Sequence, residues 1–563
     1  MTLDVRLPGR AFEPKLVSVL RHGYGLGDLR ADALAGLTVA VVALPLAMAL
    51  AIASGTTPDK GVHTAIVAGF LISALGGSKV QIGGPTAAFI PVVFNVIERF
   101  GYDGLLTATL MAGLMLVLAG LLRLGNLMKF MPQPVVTGFT AGIAVTIFVS
   151  QIKDALGLSI EHLPGEFFAR LHSYAVHFSG LQPAALAMTL ACLALLLGIR
   201  RWRPAWPAFL IVVIAGTLAG LTLSVATIGS TFGELPTALP DLAWPTFTAS
   251  RVMELLPAAF TIAFLAGVES LLSAVVADGM TDGHHRSNAE LVAQGVANVG
   301  SALIGGLPAT GAIARTATSI RAGARSPVAG MAHALFLLVF ILLGARLMVY
   351  VPLPALAAVL LLVAWNMSEV DRFRHLLRSS RGDRLVLLVT FILTVVFDLT
   401  VAIEVGVVLA AFVFMQRMSA AVDIQADPMS ESDEAERAGF EQREALPQGV
   451  EACRVSGPLF FAAVNRLDDV FNQIPRGTRV FILRMRQVPM IDASGEAALR
   501  SLLNRCQKQG VVAIFSGLQT QPRRTLSLMG LDQHPALLGI VPDFVAALAL
   551  ARTHLEASAT RLD

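Results

Sequence analysis

The amino-acid sequence predicts an all-α membrane domain of about 14 transmembrane segments, followed by a small soluble α/β domain. Three observations support this prediction. Of the 563 residues, 55% are hydrophobic and only 14% are charged, whereas soluble domains carry about 25% charged residues. The long apolar runs fall almost entirely within residues 33–417. After residue 449, short strand-like runs alternate with an amphipathic helical pattern.

The candidate membrane segments follow from the length of each apolar run, because a spanning helix needs about 20 apolar residues. The long candidates are 33–53, 62–76, 104–122, 134–150, 182–199, 207–228, 256–276, 328–349, 352–366, 384–400 and 401–417. Shorter or interrupted candidates are 85–97, 290–304 and 309–320. With this count, lysine and arginine concentrate in the loops on one side. The positive-inside rule then places both termini in the cytoplasm, and no cleaved signal is expected at the N-terminus.

Two halves of the membrane domain share one pattern. In each half, an apolar helix is followed by a glycine, a second helix and a glycine- and proline-rich break; the breaks are Gly83–Ala88 and Gly305–Thr310. Seven segments per half is an odd number, so the two halves must have opposite topology. The sequence therefore predicts a 7+7 inverted repeat with two half-helices, and such repeats place a binding site near the membrane midplane.

The two breaks predict an anion site. A helix that begins inside the membrane directs unpaired N–H groups, and the positive end of its dipole, into a cavity. The candidate substrate-binding residues are Thr86, Ala87, Ala88, Gly311, Ala312, Ile313 and Arg315. Small side chains would let an anion reach the backbone, and the arginine would add a fixed charge. The alternative is that Arg315 snorkels from the end of a short half-helix to the cytoplasmic interface.

Glu269 is the candidate for proton coupling. It lies in the apolar stretch Leu256–Val276, where a charge costs roughly 3 kcal/mol or more at bilayer depth and usually faces a cavity. A carboxyl group in a low-dielectric cavity can bind and release a proton near physiological pH. Ser273 lies one turn further on the same face. The alternative is a structural salt bridge or buried hydrogen bond, for example to Arg315.

The predicted domains are an N-terminal cytoplasmic segment (1–32), the membrane domain (33–420), an acidic linker (421–448), an α/β domain (449–555) and a tail (556–563). Within the α/β domain, Val450–Val455, Thr478–Met485 and Val511–Ser516 are predicted strands, and Gly495–Lys508 is a predicted helix. We find no phosphate loop, catalytic triad or metal cluster there. Three scattered cysteines make no disulfide framework. We expect regulation or assembly rather than catalysis, no enzyme activity, no cofactor and no nucleic-acid partner.

Several motifs together resemble the SulP anion permeases, which carry a C-terminal STAS domain. The matching stretches are Asp32–Ala40, Leu44–Ala49, Gly84–Phe89, Val268–Leu272, Asn288–Leu291, Gly457–Ala462 and Met490–Gly495. The resemblance covers nearly the whole chain. It implies core and gate subdomains, anion binding between the N-termini of the third and tenth helices, and homodimers in the cell inner membrane. Known members carry sulfate, bicarbonate, chloride or dicarboxylates.

Two finer features bear on substrate and coupling. Ala364–Glu369 and Ala277–Thr281 look most like the bacterial DauA-type branch, which is associated with uptake of C4-dicarboxylates such as succinate, fumarate and aspartate. Sodium-coupled relatives have Asp at the position of Glu269 and hydroxyl residues nearby. Here Ile313 replaces one hydroxyl and Ser273 alone remains. This departure favours a proton over sodium.

The resemblance also makes Ser494 a candidate phosphorylation site, since STAS proteins of the anti-sigma antagonist type are phosphorylated at the matching serine. The alternative is a plain helix N-cap serine. Three functions stay open at this point: a secondary anion transporter, an uncoupled anion channel or exchanger, and a membrane sensor that signals to a cytoplasmic protein through its STAS domain.

Overall fold

The computed structural model describes residues 12–126, 132–160, 163–203, 206–233, 242, 244, 245, 248–281, 283–397, 399–420, 423–425, 446–460 and 477–559. The chain forms two compact units, Met1–Ala410 and Ala411–Asp563. Residues 1–11 of the predicted N-terminal segment, most of the predicted linker and residues 560–563 of the predicted tail lie outside the described residues.

The described residues of the first half of the membrane domain form ten α-helices. They are Lys15–Arg21 (α1), Leu26–Ala53 (α2), Pro58–Leu75 (α3), Ile90–Leu121 (α4), Gln133–Ser150 (α5), Ile152–Leu156 (α6), Phe167–Val176 (α7), Pro183–Trp202 (α8), Ala208–Gly220 (α9) and Ile228–Phe232 (α10). A short 3-10 turn, Ala87–Phe89, leads into α4. Gly101, at φ 72°, interrupts α4 and separates the third predicted membrane segment from the fourth.

In the second half, eight further α-helices lie within the part of the chain that the structure describes. They are Ala249–Thr281 (α11), Ser287–Leu303 (α12), Ile313–Arg321 (α13), Val328–Met348 (α14), Leu353–Met367 (α15), Val370–Leu377 (α16), Arg381–Val396 (α17) and Leu399–Ala420 (α18). All fourteen predicted segments correspond to helices in the described residues, and α13 is the short half-helix expected after the second break. By length and composition, seven of the described helices could cross a membrane, and two shorter apolar helices join them.

The first membrane helix begins earlier than predicted, at Leu26 instead of residue 33. Its first two turns are polar, so an apolar-run criterion misses them. The Asp28 carboxylate accepts the Gly25 N–H at 3.3 Å, and Asp32 accepts bonds from the backbone N–H groups of Arg325 and Ser326. These contacts fix the helix start, so part of the predicted N-terminal segment belongs to α2.

Helices α4 and α12 pack with their backbones in direct contact. A Cβ atom at Gly295 would lie 2.5 Å from the carbonyl oxygen of Gly113, and a Cβ atom at Gly113 would lie 2.7 Å from that of Gly295. Such close approach is typical of small residues between membrane helices.

We expect Gly295→Ala to lower the stability of the membrane domain by about 1–3 kcal/mol, because the added methyl group forces the two backbones apart. Gly198→Ala is the matched control, since no atom lies within 4 Å of its added Cβ. Thermal unfolding of both variants in detergent, followed by size-exclusion chromatography, measures the difference. Equal midpoints for the two variants would contradict this packing argument.

The C-terminal unit is a five-stranded sheet with helices on both faces. Its strands are Asp423–Gln425 (β3), Val450–Ser456 (β4), Val480–Gln487 (β5), Val512–Ser516 (β6) and Leu537–Val541 (β7), in that order. Strands β4 to β7 are parallel, and β3 is antiparallel to β4. The helices are Ala493–Lys508 (α19), Thr520–Leu528 (α20) and Phe544–Ala559 (α21). Strand side chains alternate between a core with α19 and α20 and a core with α21.

This unit confirms the three predicted strands and the predicted helix to within about two residues. Two details differ from the prediction. Residues 423–425, placed in the linker, form an edge strand of the sheet. Helix α21 continues through Ala559, beyond the predicted domain end at 555.

Candidate functional site

The two predicted half-helices begin side by side because the strands before them pair. Gly83–Gly84 (β1) and Thr310–Gly311 (β2) form an antiparallel ribbon, with Gly83 opposite Gly311 and Gly84 opposite Thr310. The Ala312 N–H donates to the carbonyl of Ile82 at 2.8 Å, which extends the ribbon. The helical turns begin only a few residues later, at Ala87 and Ile313. The ribbon therefore brings the first turns of both half-helices together.

Two glycines allow the ribbon to form. Gly84 has φ +147°, a backbone conformation that other residues rarely adopt, and a side chain there would overlap the Arg315 guanidinium. A side chain at Gly311 would overlap the amide nitrogen of Gln81. Gly84 is thus required by space and by conformation, and Gly311 by space.

Neither half-helix start is capped by a side chain. Thr86 is the N-cap residue of the first, but its hydroxyl accepts no capping hydrogen bond and donates instead to Glu269 Oε2 at 2.9 Å. Ala312 is the N-cap residue of the second and has no side-chain oxygen. The first N–H groups of a helix lack intrahelical acceptors. Both starts therefore present backbone donors and the positive ends of their dipoles, as an anion site requires.

Helix α11 holds both half-helices through one face. The Ala266 carbonyl accepts from the Thr310 hydroxyl at 2.7 Å, and Glu269 accepts from Thr86. Ser273 Oγ lies 3.2 Å from Thr316 Oγ1 on α13. These residues follow helical spacing, so a single stripe contacts the ribbon, the first half-helix and the second. A shift of α11 would move both starts of the site together.

Glu269 and Glu290 are two carboxylates of this region with different surroundings. Glu290 is fully buried and accepts hydrogen bonds from Gly77 N, Ser78 N, Ser270 Oγ and Gln294 Nε2, at 2.8–3.1 Å. Its oxygens are therefore satisfied, as in a structural carboxylate. Glu269 is partly exposed and accepts one hydrogen bond, from Thr86. Among the described residues, Glu269 forms no salt bridge with Arg315 or any other cation, which argues against the salt-bridge alternative, while its bond to Thr86 leaves the alternative of a structural hydrogen bond open.

Arg315 is buried beneath the ribbon, with 3% of its surface exposed. Its Nη2 donates to the carbonyl of Pro85 at 3.0 Å, while Nε and Nη1 donate to no described residue. No carboxylate of the described residues pairs with it. The alternative that Arg315 snorkels to the interface does not fit this burial. Its charge lies beside the residue that precedes Thr86, next to the start of the first half-helix.

The other predicted site residues lie where the breaks place them. Ala87 and Ala88 are buried, at 8% and 1% exposure. Alanine has no polar side-chain atom, so only their backbone groups could hydrogen-bond a ligand. Ile313 is 42% exposed at the first position of α13. The Ser273 hydroxyl lies beside that of Thr316, which also accepts the Ile82 N–H at 3.0 Å. The Ser273 hydroxyl therefore connects α11 to α13 and helps to hold α13 in place.

Sequence reasoning missed several residues that build the site. Gln81 donates to Ser270 Oγ at 3.1 Å, and Thr316 receives the Ile82 N–H. Thr310 belongs to the predicted break, but its sequence context does not predict its bond to α11. The available signal was weak: Ser270 and Ser273 are polar residues in an otherwise apolar helix.

In the C-terminal unit, Ser494 is the second residue of α19 and is not its N-cap. Asp492 holds that position and accepts the Gly495 N–H at 2.7 Å. The alternative that Ser494 is the N-cap of this helix is therefore wrong. Ser494 is partly exposed, and its hydroxyl bonds no described residue. A phosphate at this helix start would be favoured by the dipole, so phosphorylation of Ser494 stays a prediction.

Paired half-helices around a buried, unpaired arginine, within fourteen membrane segments, define a helical multi-pass membrane protein that transports anions. The chain belongs to the sulfate permease family, whose model matches residues 29–390, and a STAS domain matches residues 447–544. These matches confirm the predicted family and the α/β domain.

Relatives and solved structures agree with this assignment. The chain is 41% identical to "Putative sulfate transporter YvdB" of Bacillus subtilis over 513 residues, covering 90% of this chain and 95% of the relative. It is 29% identical to "Bicarbonate transporter BicA" of Synechocystis over 510 residues, covering 89% and 90%. The structure of murine Solute Carrier 26 family member A9 matches with TM-score 0.85 at 18% identity, covering 98% of this chain and 96% of that one. The named relatives are transporters, which confirms that the protein is not an enzyme.

Proposed function

We propose that the protein is a proton-coupled secondary transporter that takes up C4-dicarboxylates such as succinate, fumarate and aspartate by alternating access. It works as a homodimer in the cell inner membrane, with both termini in the cytoplasm. The excess of lysine and arginine in the loops on one side supports this orientation. The substrate lies between the starts of the two half-helices, and the proton is carried by Glu269.

One observation gives the main support for the proposed anion site: the buried guanidinium of Arg315 has no carboxylate partner among the described residues. An unpaired buried charge is strongly unfavourable, so such a group is retained where a counter-ion binds. The nearby starts of the two half-helices add positive potential of the same sign. The substrate-binding residues are accordingly Thr86, Ala87, Ala88, Gly311, Ala312, Ile313 and Arg315.

The bond between Thr86 and Glu269 supports proton coupling. Thr86 begins the first half-helix, so a change in the charge of Glu269 acts on the anion site through one hydrogen bond. A proton on Glu269 removes a negative charge beside the incoming anion, which makes loading of proton and anion mutually favourable. Ile313, at the first position of α13, has no oxygen that could ligate sodium, which supports a proton over a sodium ion.

Dicarboxylates are proposed from the DauA-type stretches at 277–281 and 364–369. Sulfate is the second candidate, favoured by the 41% identical relative named as a sulfate transporter. Uptake of radiolabelled succinate into proteoliposomes, with unlabelled fumarate, sulfate or bicarbonate as competitors, separates the two. Competition by fumarate and none by sulfate is the expected result. Sulfate competing more strongly than fumarate would reject the dicarboxylate assignment.

We expect that deleting residues 421–563 changes transport rate or expression but leaves the order of substrate preference unchanged. The cut follows the end of α18 at Ala420 and removes the whole sheet, including its edge strand at 423–425. All the proposed site residues remain. The competitor panel on both proteins is the measurement. A changed order of preference would show that the STAS domain shapes the site, and binding without flux in the full chain would support a sensor.

A further inference from the structure

A cavity separate from the central anion site lies along the first half-helix, away from its start. It has a volume of about 40 Å³ and is bordered by the first part of α4, by α5, α7 and α17. Asn95 lines it eight residues after Ala87, which is about 12 Å along a helix. Helix α7 closes it on the side that the loop pattern assigns to the exterior. An anion that leaves the half-helix start in that direction would enter this cavity.

Arg170 is the charged group of the cavity. It is 8% exposed, its Nε donates to the Pro164 carbonyl at 2.9 Å, and its Nη2 donates to the Gly165 carbonyl at 3.4 Å. Its guanidinium lies 4.9 Å from the centre of the Phe94 ring. Nη1 donates to no described residue. These contacts hold the guanidinium at the cavity wall and leave the two N–H groups of Nη1 able to bind a ligand.

Asn95 adds a second hydrogen-bond donor near Arg170, whereas the protons of the nearby hydroxyl groups are already used within their helices. Among the described residues, the Asn95 amide has no hydrogen-bond partner, so it can donate into the cavity. The hydroxyls of Thr146, Ser150 and Thr394 donate to carbonyls of their own helices. Glu98, the carboxylate near Arg170, accepts the Gly165 N–H at 3.1 Å and forms no ion pair with the guanidinium.

We infer that this cavity is a second anion-binding site, separate from the central one, in which Arg170 Nη1 and the Asn95 amide hold a small anion on its way to or from the half-helix start. The inference goes beyond the proposed function, because it concerns binding at another place in the membrane domain and does not depend on which anion is transported or on proton coupling.

The test uses a cysteine in the cavity as a reporter. Ser150→Cys is nearly isosteric, and the native cysteines Cys192, Cys453 and Cys506 are all buried, so background labelling is low. A membrane-impermeant maleimide is added on the α7 side of proteoliposomes, with sulfate as the probe and gluconate to hold ionic strength. Sulfate is expected to slow labelling about tenfold at ten times its dissociation constant, by mass action.

Second substitutions added to the Ser150→Cys protein test which residues bind the anion. Protection should be lost with Arg170→Gln and partly kept with Arg170→Lys. It should be kept or strengthened with Glu98→Gln, which removes a negative charge near the guanidinium, and unchanged with Arg315→Ala, which alters the central site. If Arg170→Gln fails to fold by size-exclusion chromatography, Asn95→Leu replaces it and should lose most of the protection.

Several outcomes would overturn the inference. These are absence of labelling, absence of protection, protection that survives both Arg170→Gln and Asn95→Leu, or protection that is lost with Arg315→Ala. Failure of the proposed function looks different: no anion is taken up, while protection by sulfate still depends on Arg170.

Discussion

Arg315→Ala is expected to raise the apparent KM for the transported anion roughly 10- to 100-fold, since a hydrogen bond or close contact to a charged group contributes about 1.5–3 kcal/mol. Arg315→Lys should recover part of this loss, because lysine keeps the charge but lacks the planar fork that reaches Pro85. Initial rates of radiolabelled uptake into proteoliposomes give the KM of each variant.

The loss should not come from unfolding. Arg315 is bonded to one carbonyl and to no carboxylate of the described residues, so its removal leaves no partner charge unpaired. We expect the thermal stability of Arg315→Ala to equal or exceed that of the native protein. Arg321→Ala, at the exposed end of the same helix, is the matched control and should keep its KM. An unchanged KM in Arg315→Ala would remove the arginine from the anion site.

Glu269→Gln is expected to abolish accumulation driven by a pH gradient and to spare exchange of internal for external anion. Glutamine has the same shape and can still accept the Thr86 hydroxyl, but it cannot gain and lose a proton. The native protein should take up anion faster as the external pH falls, since the proton must load with the anion. The variant should show no such dependence.

Glu290→Gln provides the contrast. Because Glu290 accepts four hydrogen bonds in a fully buried position, its neutralisation should cost about 1.5–3 kcal/mol of stability for each weakened charged bond. Anion uptake by the folded Glu290→Gln protein should still be driven by a pH gradient. If Glu269→Gln still concentrates anion with the native pH dependence, the proton is carried elsewhere.

The fold could be predicted because each membrane helix shows its own signal. Apolar length located the fourteen segments, and glycine and proline located the two breaks. The polar first turns of α2 carried no such signal. Strand β3 was missed because three residues in an acidic stretch gain their structure from pairing with β4, a contact that local sequence does not encode.

The site could be predicted in outline only. Its residues are local to the breaks, but their geometry depends on pairing of Gly83–Gly84 with Thr310–Gly311, more than 200 positions apart. The difference between Glu269 and Glu290 is likewise a matter of neighbours. Both are acidic residues in apolar helices, and only the structure shows that one accepts four bonds and the other accepts one from the substrate site.

Anion-driven acidification of proteoliposomes tests the central claim most directly. Purified protein is reconstituted with a pH-sensitive dye inside, and succinate is added outside without a pH gradient. The account predicts acidification of the interior that follows succinate uptake, and that is absent in Glu269→Gln. Succinate uptake without any acidification in the native protein would show an uncoupled channel or exchanger and would contradict the proton-coupled mechanism.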